Sequence, residues 1–349
     1  MDRRTTIREV AKLAEVSIST VSNYLNGRFA NMSGPTRERV AHAIEELGYY
    51  PSLGAQALPR KRQTHTICIV IPHNVDYTFH HTYFAEVMRG ISGVLDDNGY
   101  RAMILTTKDK GRAEVTYLRS LTRGIVDGII FFDVEESDPF IEAFGASSLP
   151  IMFVGRADKE VTRFVDNDVE DGADKAAEHL ISLGHTRLIL LAGPPSLMFT
   201  KQLIAGVQQA FERAGLAWGT DQVIYGEFSE SSGIEGAVKV FAKSTPATAV
   251  FAASGKQALG FMEYARKHEF AIPDSVSLIS FGHHPVVGAL GRRLTYLDQP
   301  EVDVGSRVAL RLLEQIEGSE EPDGTGMVAE VLPLTLVVGE STGPPPGVG

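Results

Sequence analysis

Six short hydrogen-bonding side chains crowd into ten residues: Ser17, Ser19, Thr20, Ser22, Asn23 and Asn26, in the stretch Ser17-Ile18-Ser19-Thr20-Val21-Ser22-Asn23-Tyr24-Leu25-Asn26. Hydroxyls and carboxamides both donate and accept, which suits phosphate oxygens and the edges of nucleic-acid bases better than a protein core. On a helix, Val21 and Leu25 share one face at a four-residue spacing and turn inward. Ile18, Ser19, Thr20, Ser22, Asn23 and Asn26 are then left facing out.

A helix here needs neighbours that hold it. Thr6 and Glu9 have the spacing of a capping box, which predicts a first helix from Ile7 with Ile7, Val10, Ala11 and Ala14 on one apolar stripe. Ser17 then caps the second helix across a tight turn. Ser33 caps a third, carrying Thr36, Arg37, Arg39, Val40, Ala43, Ile44 and Leu47, and Gly48 closes it in the C′ role before Tyr49-Tyr50-Pro51 ends the unit. Residues 1–62 hold 10 Lys and Arg against 6 Asp and Glu, a net +4, while the remaining 23 basic and 38 acidic residues carry −15. A basic head on an acidic body turns head-first toward a polyanion.

With these elements in place, the segment resembles the head of the LacI/GalR transcriptional repressors, whose opening runs T-I-x-D-V-A-x-x-A-G-V-S-x-x-T-V-S-x-x-L-N. Glu9 and Glu15 stand where that family usually has Asp and Gly, and neither change threatens the fold. The resemblance implies that Ile18, Ser19 and Asn23 read bases, an Asn pairing with adenine and an Ile touching a thymine methyl. Thr6, Ser17, Thr20, Ser22 and Asn26 are then positioned for phosphates. Ser52-Leu53-Gly54-Ala55-Gln56-Ala57-Leu58-Pro59 occupies the place of the family's hinge helix. By position Leu58 is the leucine wedged into a minor-groove step, and Gln56 replaces the usual Arg. The alternative is a flexible linker whose Arg60-Lys61-Arg62 touch phosphates.

From residue 66 onward the pattern alternates. Apolar runs at 66–71, 102–105, 128–132 and 151–154, with helical stretches at 84–98 and 112–123, give one series. Runs at 188–192, 223–225, 249–253 and 276–281, with helices at 170–183, 202–214, 231–242 and 257–268, give a second. This alternation predicts parallel sheets covered by helices on both faces, in two Rossmann-like lobes. The single Cys68 lies in an apolar run and reads as a buried strand residue, which excludes disulfides within the chain and fits a reducing cytoplasm. No apolar stretch approaches the roughly 20 residues of a membrane span, and no apolar signal region precedes the first helix.

The resemblance extends through the body. Val165-Asp166-Asn167 looks like the family's V-D-N crossover, His179-Leu180-Ile181-Ser182-Leu183-Gly184-His185 its H-L-I-x-L-G-H, and Leu294-Thr295-Tyr296-Leu297-Asp298-Gln299-Pro300 its L-T-T-V-x-Q-P crossing. It implies an α/β chain: an N-terminal all-helical helix-turn-helix head, a hinge segment, then two Rossmann-like lobes of the periplasmic-binding-protein-like type I fold. The expected division is head 1–50, hinge 51–63, N-terminal lobe 64–165 plus about 297–325, C-terminal lobe 166–296 plus about 326–342, and a disordered tail 343–349.

The effector cleft departs from the family's sugar binders. The usual Arg position holds Leu203, the Asn-Asp position holds Ser254-Gly255, and the G-F-D-D stretch reads Ser280-Phe281-Gly282-His283-His284. Losing those anchors disfavours a hexose, since each unpaired buried hydroxyl costs about 1–3 kcal/mol. A loop rich in aromatics and histidines, with His73, Tyr77, Phe79 and His80, is expected to face the same cleft as Asp166 and His283, where a flat or anionic ligand would stack; a cleft without effector is the alternative. Adjacent histidines point in different directions, so no metal is expected, and no cofactor. Neither a phosphate loop nor a nucleophile–base pairing is present, which argues against an enzyme. The expectation is a cytoplasmic homodimer that binds a pseudo-palindromic double-stranded operator as a repressor, without membrane contact. The alternative is a solute-binding protein without DNA function.

Overall fold

The computed structural model describes residues 5–25, 28–29, 32–49, 63–71, 82–107, 115–116, 118–119, 122, 124–132, 134, 138–145, 149–156, 161–242, 247–284, 293–318 and 328–347. Residues 1–64 with 123–125, and residues 65–122 with 126–349, fall into two separate units.

Among its described residues the first unit holds three helices, α1 (Ile7–Leu13), α2 (Ile18–Leu25) and α3 (Gly34–Glu46). At each start a side chain satisfies a backbone group that has no partner inside the helix. The Glu9 carboxylate reaches back to the Thr6 N–H at 2.7 Å and its hydroxyl at 3.0 Å. Ser17 Oγ accepts from the Thr20 N–H at 3.1 Å, and Ser33 Oγ from Thr36 at 3.4 Å. Val10, Ala11, Ala14, Val21, Val40 and Ala43 form the buried centre, with Ile7 and Leu25 packed around it.

The turn between α1 and α2 places Glu15 at φ 52°, the left-handed region. A Cβ there costs about 1–2 kcal/mol, of which glycine's extra chain entropy returns roughly half. Glu15→Gly is therefore expected to stabilise this unit by about 0.5–1 kcal/mol, read from its urea midpoint. An unchanged or lower midpoint would show that the Glu15 side chain makes up for its backbone.

The second unit contains two parallel-sheet lobes. In the first, β1 (Thr66–Ile71), β2 (Arg101–Thr106), β3 (Gly128–Phe132), β4 (Ile151–Val154), β5 (Arg163–Asn167) and β11 (Val328–Leu332) line up in the order β11-β5-β4-β3-β1-β2. In the second, β6 (Leu188–Ala192), β7 (Val223–Tyr225), β8 (Ala249–Ala252), β9 (Ser277–Phe281), β10 (Thr295–Asp298) and β12 (Thr335–Val337) run β12-β10-β9-β8-β6-β7, with only β12 antiparallel. The inner strands β1, β3, β6, β8 and β9 are almost wholly buried, as strands covered on both faces must be.

Helices pack in pairs against these sheets: α4 (Thr82–Asp97) with α10 (Glu301–Glu317), α6 (Val169–Ser182) with α7 (Met198–Arg213), and α8 (Glu230–Phe241) with α9 (Gly255–Lys267). A shorter helix, α5 (Pro139–Gly145), sends Phe140 and Phe144 against Phe131 of β3. Cys68 is buried in β1, and burial pushes its thiol up to about 12, so it stays protonated.

Two expected boundaries are corrected. Residues 326–342 were assigned to the C-terminal lobe, but β11 pairs in parallel with β5 from Val328↔Arg163 to Leu332↔Asn167, inside the first lobe's sheet. The third crossing therefore comes after Leu332, and Leu334 is the first residue buried in the second lobe's core. The tail expected to be disordered from 343 is described as far as Gly347. Gly343 is tied down because its N–H donates to Ser277 Oγ at 3.0 Å and its carbonyl accepts from His185 Nε2 at 2.8 Å.

His185 is 1 % exposed. Nε2 donates to the Gly343 carbonyl, and Nδ1 lies 2.9 Å from the Thr248 hydroxyl. Burial lowers the pKa of His185, and likewise of His179, which holds the Thr342 hydroxyl at 3.0 Å. Below the ordinary histidine range the unfolded chain binds protons that the folded chain refuses. Stability is thus complete above about pH 6.5 and falls as the pH drops below it. His185→Gln is expected to flatten the loss of urea midpoint between pH 7.5 and 5.5, while an equally steep loss would assign it to other groups.

Candidate nucleic-acid interface and interlobe cleft

In the first unit α2 is amphipathic as its spacing demanded. Val21 is fully buried, whereas Ile18, at 45 % exposure, stands out to solvent with Ser19 and Asn23. The Ser17 hydroxyl lies 2.6 Å from that of Ser19 and 2.8 Å from that of Thr20, so the helix begins in a continuous run of hydroxyls. Thr6 is exposed at the start of α1, and Thr20 and Ser22 are half-buried along α2. Asn26, Gln56 and Leu58 lie outside the described residues.

One contact escaped the sequence. The Arg37 guanidinium stacks 4.0 Å above the Phe29 ring, whose other neighbour is Tyr24 at 5.7 Å, edge-on. The stack pins the segment after α2 to the start of α3 and holds one cation of the head in place. An aromatic beside Arg28 in a polar loop was the available signal.

In the second unit a cavity of about 540 Å³ opens between the lobes, at the carboxyl ends of the parallel strands, where open α/β sheets place their ligand crevices. Asp166, Ser254 and His283 all line it, as expected. Leu203 does not: it is fully buried in the second lobe's core, on the inner face of α7, one turn past the cavity-lining Met198 and Phe199. Its apolar side chain takes the face a polar anchor would leave. His73, Tyr77, Phe79 and His80 lie outside the described residues.

The walls are strongly aromatic. Phe199 meets Phe228 and Phe281 edge-on at 5.6 and 4.8 Å on the second lobe, and Phe84 meets Phe132 at 5.2 Å on the first. Asp166 accepts the backbone N–H groups of Arg156 at 3.1 Å and Asn167 at 2.8 Å. Asn167 Nδ2 donates to Gln299 Oε1 at 3.1 Å, joining the first crossing between lobes to the second, and the Asp168 N–H donates to the Leu332 carbonyl at 2.8 Å, joining the first to the third. Among the described residues, the Asn167 Oδ1 and Arg156 Nε atoms are buried without a partner. His283 rests on Tyr296, ring centres 5.1 Å apart. Burial lowers the pKa of His284 and raises that of Glu301. Arg156, Asn167, Phe199, Phe228 and Gln299 were not picked out as cleft residues. Their common signal is position, just past the ends of parallel strands or at a crossing.

Among the described residues no group of three His, Cys, Asp or Glu side chains is placed to hold a metal ion, and no helix is long and apolar enough to cross a membrane.

Residues 6–52 match the family model for bacterial regulatory proteins of the lacI family, and residues 177–342 match a periplasmic binding protein-like domain. The chain is 32 % identical over 347 residues to the HTH-type transcriptional regulator DegA of Bacillus subtilis (strain 168), covering 98 % of this chain and 99 % of that one. It is 29 % identical to the HTH-type transcriptional regulator CelR of Thermobifida fusca, covering 97 % and 98 %. Among solved structures, a CelR–cellobiose complex superposes with a TM-score of 0.73 at 28 % identity, covering 97 % of this chain and all of that one. The lac repressor dimer bound to operator and the anti-inducer ONPF superposes at 0.82 and 24 % identity, covering 98 % and 100 %, and shares the fold. A helical head with a polar second helix, joined in one chain to two parallel-sheet lobes around a cleft, places this protein in the LacI family of bacterial regulatory proteins, as a DNA-binding transcriptional regulator.

Proposed function

We propose that the protein is a cytoplasmic repressor that binds a pseudo-palindromic operator as a homodimer and answers to a non-hexose effector in its cleft. The observation that carries this reading is the outer face of α2, where exposed Ile18, Ser19 and Asn23 back onto the buried Val21. In this reading those three side chains meet base edges. Thr6, Ser17, Thr20, Ser22 and Asn26 meet phosphates, and Gln56 and Leu58 of the hinge, residues 51–63, enter the minor groove.

Exposed apolar residues support the dimer. Ile104 on the edge strand β2 is 40 % exposed and Tyr225 on the edge strand β7 is 48 % exposed, one on the corresponding edge of each lobe. Unpaired edges with large apolar side chains are surfaces that a second copy covers. Ile104→Glu with Tyr225→Glu is expected to shift sedimentation from dimer to monomer and to weaken binding to paired half-sites at least 100-fold, with single half-site binding unchanged. A double variant that still sediments as a dimer would move the interface elsewhere. Gel shifts on duplexes with one or two inverted half-sites test the function itself: two should bind far more tightly than one, and equal binding would contradict a dimeric reader.

A further inference from the structure

Tyr24, Phe29 and Arg37 meet on one flank of α2. Ser19 and Asn23 share the outer face of that helix at a four-residue spacing, and Thr20 and Tyr24 share the side next to it in the same way. The Phe29 ring stands edge-on to Tyr24, ring centres 5.7 Å apart and planes at 72°, and the Arg37 guanidinium lies 4.0 Å above the centre of the Phe29 ring. Backbone hydrogen bonds anchor the stack from both helices. The Arg28 N–H donates to the Asn23 carbonyl in α2 at 2.9 Å, and the Arg37 N–H donates to the Ser33 carbonyl at 3.0 Å as α3 begins.

The stack lies at the surface rather than in the buried centre of the unit: Arg37 is exposed and Phe29 is 37 % exposed. Among the described residues no carboxylate pairs with the Arg37 guanidinium and no acceptor takes its N–H groups. A free arginine loses much side-chain freedom when it settles on a phosphate. On the Phe29 ring that freedom is already restricted before any partner arrives, while the donors stay available.

We propose that Phe29 is a positioning residue that holds Arg37 against a DNA phosphate beside α2, an inference that rests on α2 entering the major groove. A helix lying in that groove turns its outer face to base edges and its flanks to the sugar–phosphate walls. Tyr24 and the ring stacked beside it belong to a flank, so the cation they hold faces a wall. A planar guanidinium can give a phosphate two parallel hydrogen bonds, which fixes the helix in register without reading sequence. Arg37 therefore sets affinity for all duplexes, and Asn23 sets preference among them.

Binding by the full chain to a genomic fragment that it selects, and to a random-sequence duplex of equal length, tests this across a salt series. Arg37→Met is expected to weaken binding to both about tenfold and to lower the slope of log affinity against log salt by about one for each subunit bound. Phe29→Leu keeps the charge and should still weaken binding about threefold, Phe29→Tyr should restore it, and Phe29→Leu added to Arg37→Met should cost nothing more. Should Phe29→Leu also lower the urea midpoint, the double variant decides, because a structural loss adds to that of Arg37→Met and a positioning loss does not. Additive losses, an unchanged salt slope in Arg37→Met, or Phe29→Leu binding as the unaltered protein does would overturn the assignment. Asn23→Ala on the same fragment separates the failures: if it alters base preference, only the Arg37 assignment is wrong, and if it alters none, the reading of α2 fails with it.

Discussion

Asn23→Ala is expected to relax base preference at one position in each half-site, lowering the affinity for the preferred base by about 1–3 kcal/mol and leaving affinity for the others nearly unchanged. Asn23 is exposed in the second turn of α2, opposite the buried Val21, so truncating it removes no packing. Its carboxamide donates and accepts in one plane, which matches adenine N6 and N7 and no other base as well. Titrating one duplex with each of the four bases at that position separates the two roles open to it. A loss confined to one base marks a reader, whereas an equal loss on all four marks a phosphate contact.

Gly305→Leu carries the other large effect, about 3–5 kcal/mol of destabilisation. Gly305 of α10 faces Gly90 of α4. A Cβ on Gly305 would lie 2.0 Å from the Val87 carbonyl oxygen, and one on Gly90 would lie 2.1 Å from that of Val302. Backbone cannot retreat as a side-chain tip can. The two helices would be forced apart, and Val87, Ile91, Val304 and Val308 would leave the first lobe's core with them. The urea midpoint of the variant should fall accordingly, with Gly93→Leu, which meets nothing within 4 Å, as the control. Equal midpoints would mean that the helix pair has slack these contacts do not show.

What the sequence made legible follows from local physics. Caps at Thr6, Ser17 and Ser33 fixed where the helices of the head begin, and alternating apolar runs fixed the buried strands, several of them to the residue. Where side-chain type did not determine location, the reading went astray. β11 reads Val-Ala-Glu-Val-Leu, a half-exposed edge strand equally suited to either sheet, and only its pairing with β5 assigns it. Leu203 fell at a position defined by counting from Gly206, yet an apolar residue on a helix turns to the core wherever one is available. Gly343 gave no local sign of order, because its partners His185 and Ser277 are 158 and 66 residues away. The cleft was legible in kind through Asp166, Ser254 and His283. Its aromatic walls were not, since phenylalanines in a chain with this much apolar content are indistinguishable from core until strand ends bring them together.

The central claim is that α2 presents a sequence-reading face to symmetric duplex. The most direct test is retention of genomic fragments by the purified full chain against random competitor, repeated across a salt series. Selective retention of fragments sharing an inverted repeat, falling steeply as salt rises, is the predicted result. Retention of no fragment above the competitor at low salt would contradict it.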